Sequence, residues 1–176
     1  MIVFMLWGST MLNYKRIFEL DDELCQFHLK QKQYYLLENI SPTRDYLLND
    51  MKLPEGFDES DHYIYKVYFK EKMIALIDFQ LGYRFSMKHD DKCLWIGLFL
   101  VDEDYQRKKF GKMIIDHFID KYRTRCYLVQ LACIKKNEKG MAFWKALGFN
   151  KIAVSMYNNL EVEILELKIC YYSQLR

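Results

Sequence analysis

The spacing of apolar residues changes several times along the chain, and each change marks an element. Tyr14 to Phe18 is a short strand candidate. Asp21 and Asp22 follow it as capping residues for a helix over Glu23 to Asn39, in which Leu24, Phe27, His28, Tyr35 and Leu36 fall near one face. A second short helix, Thr43 to Met51, comes after Pro42, and Lys52 to Asp61, with Pro54 and Gly56, reads as a loop. From His62 to Phe69 the period shortens to two, with Tyr63, Tyr65, Val67 and Phe69 alternating with Ile64, Lys66 and Tyr68. Lys70 to Lys72 turns this strand into a second, Met73 to Tyr83, making a hairpin.

The next strand, Leu94 to Val101, is apolar on both faces, the pattern of a central strand covered on each side. Beyond it Ile114, Ile115, Phe118, Ile119 and Tyr122 repeat at helical spacing, and Cys126 to Cys133 reads as another buried strand. Strand, helix and strand in that order predict a right-handed crossover between parallel strands. Asn137 and Glu138 open a further helix, closed by Gly148 in a left-handed conformation. Phe149 to Tyr157 and Leu160 to Ile169 form a hairpin turning at Asn158 and Asn159. A switch of apolar phase at Ile164 and Leu165 predicts a bulge in the last strand.

Composition narrows the class. The 176 residues are 51% hydrophobic and 28% charged with two prolines and seven glycines, a balance for one folded domain with a real core. A formal net charge of +2 is too small for binding that depends on many nucleic-acid phosphates, so no nucleic-acid partner is expected. Five cysteines, Cys25, Cys93, Cys126, Cys133 and Cys170, lie in apolar runs without metal or disulfide spacing, and four scattered histidines add no ligand pattern, so no metal is expected. Met1 to Trp7 is apolar but too short and unflanked for a membrane span or signal peptide. A cytoplasmic location without membrane association is therefore expected, with residues 1–10 as an extension and residues 11–176 as the domain.

One segment combines structure with chemistry. After Asp102, Glu103 and Asp104 come Tyr105, Gln106, Arg107, Lys108, Lys109, Phe110, Gly111 and Lys112, which place four cations at the start of a helix. The helix dipole and four unpaired N–H groups already make that end positive, so each exposed cation costs roughly 0.3–1 kcal/mol. A bound phosphate offsets this cost, whereas a solvated loop screened by the preceding acids is the alternative.

Gln106 to Gly111 resembles the Q/R-x-x-G-x-G/A loop of the GNAT superfamily of acyl-CoA-dependent N-acetyltransferases. Phe99, Leu100 and Val101 resemble that family's L-x-V strand end. Asn137 with Phe143-Trp144-Lys145-Ala146-Leu147-Gly148-Phe149 is similar to its N-x(5)-F-Y-x-x-L-G-F segment. The resemblance implies a single α/β domain: a mixed, mostly antiparallel sheet of six to seven strands, with splayed central parallel strands and about four flanking helices. It also implies acetyl-CoA as co-substrate, its pantetheine paired with Phe99, Leu100 and Val101, its diphosphate on the N–H groups of Arg107, Lys108, Lys109, Phe110, Gly111 and Lys112 behind Gln106, and Asn137 and Trp144 beside the thiol. Plain core packing is the alternative for Phe143 and Trp144. Two departures stand out: Lys109 occupies the family's first loop glycine, and Trp144 replaces a tyrosine often placed to protonate the departing thiolate.

The implied reaction is acetyl transfer to a primary amine of a small molecule or peptide by direct attack in a ternary complex; a catalytically weak acyl-CoA-binding module is the alternative. A primary amine with a pKa near ~10.4 is protonated at neutral pH and needs a base. Asp78, an acid within the apolar run Met73 to Phe79, is the candidate, or else a partner-paired carboxylate. The Val101 N–H is the candidate oxyanion donor. The acidic loop Glu55, Asp58, Glu59 and Asp61 is a possible attractor for a cationic substrate, Tyr157, Tyr171 and Tyr172 are unranked acids, and Leu160 to Cys170 is a possible homodimer strand.

Overall fold

The computed structural model describes residues 11–53, 57–86 and 88–169. In chain order the elements are β1 (Asn13–Ile17), α1 (Asp22–Lys30), α2 (Lys32–Glu38), α3 (Arg44–Asp50), β2 (His62–Phe69), β3 (Lys72–Arg84), β4 (Lys88–Val101), α4 (Phe110–Tyr122), β5 (Leu128–Ile134), α5 (Glu138–Ala146), β6 (Asn150–Tyr157) and β7 (Leu160–Lys168). The strands form one seven-stranded sheet in the order β1-β2-β3-β4-β5-β7-β6. Only β4 and β5 are parallel, joined through α4 as the strand–helix–strand pattern predicts.

Alternation along the strands supplies two apolar faces. On one, Ile74, Ile77, Phe79 and Leu131 meet Ile114, Phe118, Met141 and Trp144 from α4 and α5. Ile114, Ile115 and Phe118 are at most 2% exposed, and burying each such side chain contributes roughly 1.5–3 kcal/mol. On the other face, Leu24, Phe27 and Leu47 from α1 and α3 cover Ile64, Leu76 and Leu100. Lys66 also points to this second face and is wholly buried. Its Nζ lies 2.5 Å from Asp21 Oδ2 and 2.8 Å from Glu23 Oε2, tying β2 to the first turn of α1.

The sheet splits at its centre. β4 and β5 pair only from Cys93 with Leu128 to Ile96 with Leu131. Beyond that, β5 continues against β7 as far as Ile134, leaving Gly97 to Val101 without a strand on that side. A bulge starts the divergence: Phe79 faces Ile96 and Asp78 faces Leu98, so Gly97 is the extra residue of β4. An inserted residue bends its strand and breaks the ladder locally.

Several boundaries differ from the sequence pattern. The helix expected over Glu23 to Asn39 is two helices, giving five in all among the described residues, because Gln31 (φ −80°, ψ 50°) ends α1 and starts α2. Its side chain donates to Phe27 O, and the bend brings Tyr35 Oη to within 2.6 Å of His28 Nδ1 while Leu36 swings out to solvent. The bulge expected at Ile164 and Leu165 lies opposite them, where β6 inserts Ile152 between Lys151 and Ala153. β7 has β5 and β6 on its two edges, so the outer strand is β6, and β7 has no free edge for a second copy. The hairpin turns do follow the sequence: Lys70 and Glu71, and Asn158 and Asn159, all have positive φ, as two-residue turns of the primed type require. Gly148 likewise takes φ +91° after α5. Residues 1–10, Cys170, Tyr171 and Tyr172 lie outside the described residues.

Candidate active site

The basic segment is mostly a loop rather than the first turn of a helix. A short 3-10 turn, Glu103–Tyr105, is capped by Asp102 Oδ1, which accepts from Asp104 N. Arg107 and Lys109 then adopt positive φ of 57° and 68°, and α4 begins only at Phe110. Three of the four cations therefore precede the helix, and Lys112, inside it, pairs with Asp116 at 2.6 Å. Lys109 is the N-cap residue, and no side chain caps this helix end. The N–H groups of Phe110, Gly111 and Lys112 thus face outward from the first turn, beside a backbone curled by two left-handed residues, an arrangement suited to an anion.

The side chains of this segment divide their work. Phe110 is core, packed 5.0 Å from Phe69 and 5.7 Å from Tyr105, so only its backbone faces the loop. Gly111 has a structural reason: a Cβ there would stand 3.1 Å from the Phe143 ring, so its lack of a side chain lets α4 approach α5. Gln106 Nε2 donates to Val101 O at 2.9 Å, covering one exposed carbonyl at the end of β4.

Backbone alternation fixes what the free edge of β4 offers. Asp102 N donates to Ile74 O on β3. The preceding residue, Val101, therefore turns its N–H and C=O away from β3 and into the gap, as does Phe99, while Leu100 faces β3 and buries its side chain against α1 and α3. Phe99 and Val101, but not Leu100, present main-chain groups to an extended ligand. On β5 the opposing Ala132 is exposed.

The gap opens into a cleft of about 1310 Å³. On the α4 and α5 side Phe99, Phe143 and Trp144 form its apolar wall, with ring centroids 4.9–5.9 Å apart. Trp144 is both core and lining. Asn137 lines the cleft too, but its Oδ1 is committed to the Gly140 N–H at 2.9 Å as the cap of α5. Cys133 also lines the cleft, and burial pushes its thiol up to about 11, leaving it a poor nucleophile at neutral pH.

On the opposite side the cleft is lined by acids. Asp78 and His62 meet at 2.7 Å between Asp78 Oδ1 and His62 Nε2. Burial raises the Asp78 carboxyl above the usual range, partly offset by the hydrogen bond and charge of His62. Glu38 accepts from Tyr34 Oη at 2.7 Å, and burial raises it as well. Asp50 keeps water contact at the mouth while the protein closes around its inner side. That partial burial, then the charges of Asp78 and Glu38, raise it to about 6. Tyr157 lies beside this group and is raised by burial and by the same two acids, Asp50 and Glu38.

Sequence spacing missed His62, Glu38, Asp50 and Tyr34 as site residues, since they come from three separate segments, α2, α3 and β2. The acidic loop is turned to other tasks: Asp58 caps the Glu59–Asp61 turn and Asp61 pairs with Arg125 at 2.8 Å, while Glu55 lies outside the described residues. Among the described residues no group of three or more His, Cys, Asp and Glu side chains is arranged to hold a metal ion, and no helix is long and apolar enough to cross a membrane.

The layout of a basic loop, a splayed strand pair and a cleft between them matches a known family. Its model, the Acetyltransferase (GNAT) family, aligns with residues 17–149. The chain belongs to that family. A [Ribosomal protein bS18]-alanine N-acetyltransferase of Salmonella typhimurium is 34% identical over 55 residues, a match spanning 31% of this chain and 37% of that protein, so little more than a third of that relative is represented. Among solved structures, an acetyltransferase from Thermus thermophilus superposes with a TM-score of 0.72 at 15% identity, over 90% of this chain and 97% of that one. The ribosomal-protein-S18-alanine N-acetyltransferase from Escherichia coli gives 0.62 at 18% identity over 94% and 99%. A Bacillus subtilis acetyltransferase solved in complex with CoA gives 0.62 at 14% identity over 91% and 100%. At these identities the comparison shows a shared fold, which in this chain is an α/β domain with a seven-stranded mixed sheet.

Proposed function

We propose that this GNAT protein transfers acetyl from acetyl-CoA to a primary amine of a small molecule or peptide, by direct attack in a ternary complex. The observation that carries the reading is the two-sided cleft, which joins the basic loop on one side of the split sheet to Asp78 and His62 on the other. The residues fit acetyl-CoA: the curled backbone from Arg107 to Lys112 suits a diphosphate, and the main chain of Phe99 and Val101 suits an extended amide-bearing arm.

The amine enters from the acidic side. An ammonium group is attracted there but must lose a proton before it can attack, and Asp78, raised by burial and held by His62, is the acceptor. The neutral nitrogen attacks the thioester carbon, negative charge collects on the carbonyl oxygen near the Val101 N–H, and the carbon–sulfur bond breaks as the thiolate leaves. The proton that the attacking nitrogen still carries passes through water to the thiolate, since the Trp144 indole N–H is no proton donor at neutral pH. Burial raises the Cys133 thiol, which favours direct attack over passage through an acetyl-cysteine.

The names of the Salmonella and Escherichia coli relatives, enzymes acting on an alanine of a ribosomal protein, support a peptide amino terminus among the acceptors. Thiol release from acetyl-CoA across a panel of amines and peptides tests the reading. Turnover with at least one primary amine is expected, whereas CoA binding without turnover on any would establish a binding module instead.

A further inference from the structure

The acceptor side of the cleft holds more negative charge than one reacting amine requires. Asp78 is committed to His62 at 2.7 Å and to proton removal. Glu38 and Asp50 remain, on the last turns of α2 and α3; both line the cleft, and Asp50 feels the charge of Glu38. Tyr34 Oη donates to Glu38 Oε1 at 2.7 Å, and Tyr46 Oη lies 3.5 Å from Glu38 Oε2, so these phenols steady Glu38 as an acceptor without neutralising it. Among the described residues no cation pairs with Asp50, and Lys52, close by in sequence, donates to Asn49 Oδ1 at 3.2 Å.

A separate feature points the same way. Gln80, on the same face of β3 as Asp78, lines this cleft and is only 5% exposed. Its Nε2 donates to Leu81 O, while its Oε1 has no hydrogen-bond partner. A buried acceptor left unpaired costs about 1–3 kcal/mol. The carboxylates and this amide oxygen all ask for N–H donors.

Resting on the N-acetyltransferase reading, we infer that the acceptor is a dication: one amine reacts at Asp78 and His62, and a second ammonium or guanidinium group is held by Glu38 and Asp50. The second group neutralises the two acids that the reaction itself does not use. Free diamines and peptides whose second residue is Lys or Arg share this chemistry, and a test must distinguish them.

The experiment compares a terminal diaminoalkane with the monoamine of the same chain length, and a Lys-bearing peptide with its norleucine counterpart, by kcat/KM in thiol release and by calorimetric binding to the full chain. A charged contact worth about 1.5–3 kcal/mol corresponds to a preference of roughly tenfold or more for the dication of each pair. Asp50→Asn should collapse that preference by about tenfold through KM rather than kcat, and Glu38→Gln, which keeps the tyrosine contacts, should do the same if the first variant folds poorly. The pair showing the preference identifies the source. Equal kcat/KM and equal affinity within both pairs in the wild type, or a preference unchanged in both variants, would overturn the inference while leaving amine acetylation intact. Absence of turnover with every amine would instead sink the catalytic reading, and the calorimetric comparison would still decide whether a second cation is bound.

Discussion

Lys109 sits at φ 68°, ψ −2°, a conformation glycine adopts freely and a side chain with a Cβ does not. Replacing it with glycine relieves that strain while adding chain entropy to the unfolded state, so Lys109→Gly should stabilise the fold by about 0.5–1 kcal/mol, read as a rise in Tm. The same change removes a cation beside the helix end and should weaken CoA binding about two- to fivefold by calorimetry. Higher stability with unchanged CoA affinity would show that the lysine charge does not reach the ligand. At Asp78 the sign is set by burial: a carboxyl raised above the ordinary value near ~3.9 must be ionised to act, so kcat/KM should climb with pH through that raised value and fall on the acid side of it. Asp78→Asn should remove this acid limb and lower kcat/KM by about a hundredfold or more. A retained limb would assign it to another group. Of these residues, Asp78 and the loop were legible in the sequence because an acid in an apolar strand and a run of cations are local anomalies. Glu38, Asp50 and His62 were not, since each is unremarkable in its own segment and gains meaning only when α2, α3 and β2 converge.

At the scale of elements, caps were easier to read than helix ends. Asp21, Thr43 and Asn137 all accept from the first turn of the helices they precede, as their side-chain chemistry predicts. Asn137→Ala should therefore cost about 1 kcal/mol in denaturant unfolding, and a loss well below that would mean that packing of Met141 and Trp144 holds α5 unaided. The break at Gln31 was hidden because apolar spacing continues across it, while the contact of Tyr35 with His28 and the Gln31 bond to Phe27 O favour the bend. Lys66 was hidden for the opposite reason: a charged residue at an alternating position reads as exposed, yet Asp21 and Glu23 supply its counter-charges inside the fold. Burial pulls those two carboxyls up, but the hydrogen bond and charge of Lys66, together with the Leu24 N–H on Asp21 and the Tyr68 hydroxyl on Glu23, outweigh it and hold both below their ordinary values. Stability from this link is present above the ordinary carboxylate range and lost as pH falls through the depressed values. Lys66→Met should flatten that acid-side decline in Tm, and an unchanged slope would mean the pair adds no pH-dependent stability.

For the whole molecule, the consequential event is the parting of two parallel strands. Sequence pattern predicted their order, and motif similarity implied their divergence. The physical cause, the extra residue Gly97 between the Asp78–Leu98 and Phe79–Ile96 pairs, became visible only in the register of the sheet. The divergence exposes the edge of β4, lets Gln106 cover the Val101 carbonyl, and leaves one passage open to both faces, with cations at one entrance and carboxylates at the other. In the proposed reaction two substrates meet in this passage without a covalent stop on the protein. Initial-rate kinetics with acetyl-CoA and an accepted amine varied together, followed by mass analysis of the protein after exposure to acetyl-CoA alone, test this most directly. Intersecting reciprocal plots and an unmodified protein are predicted; parallel plots with a stoichiometric acetyl adduct would contradict direct transfer across the split sheet.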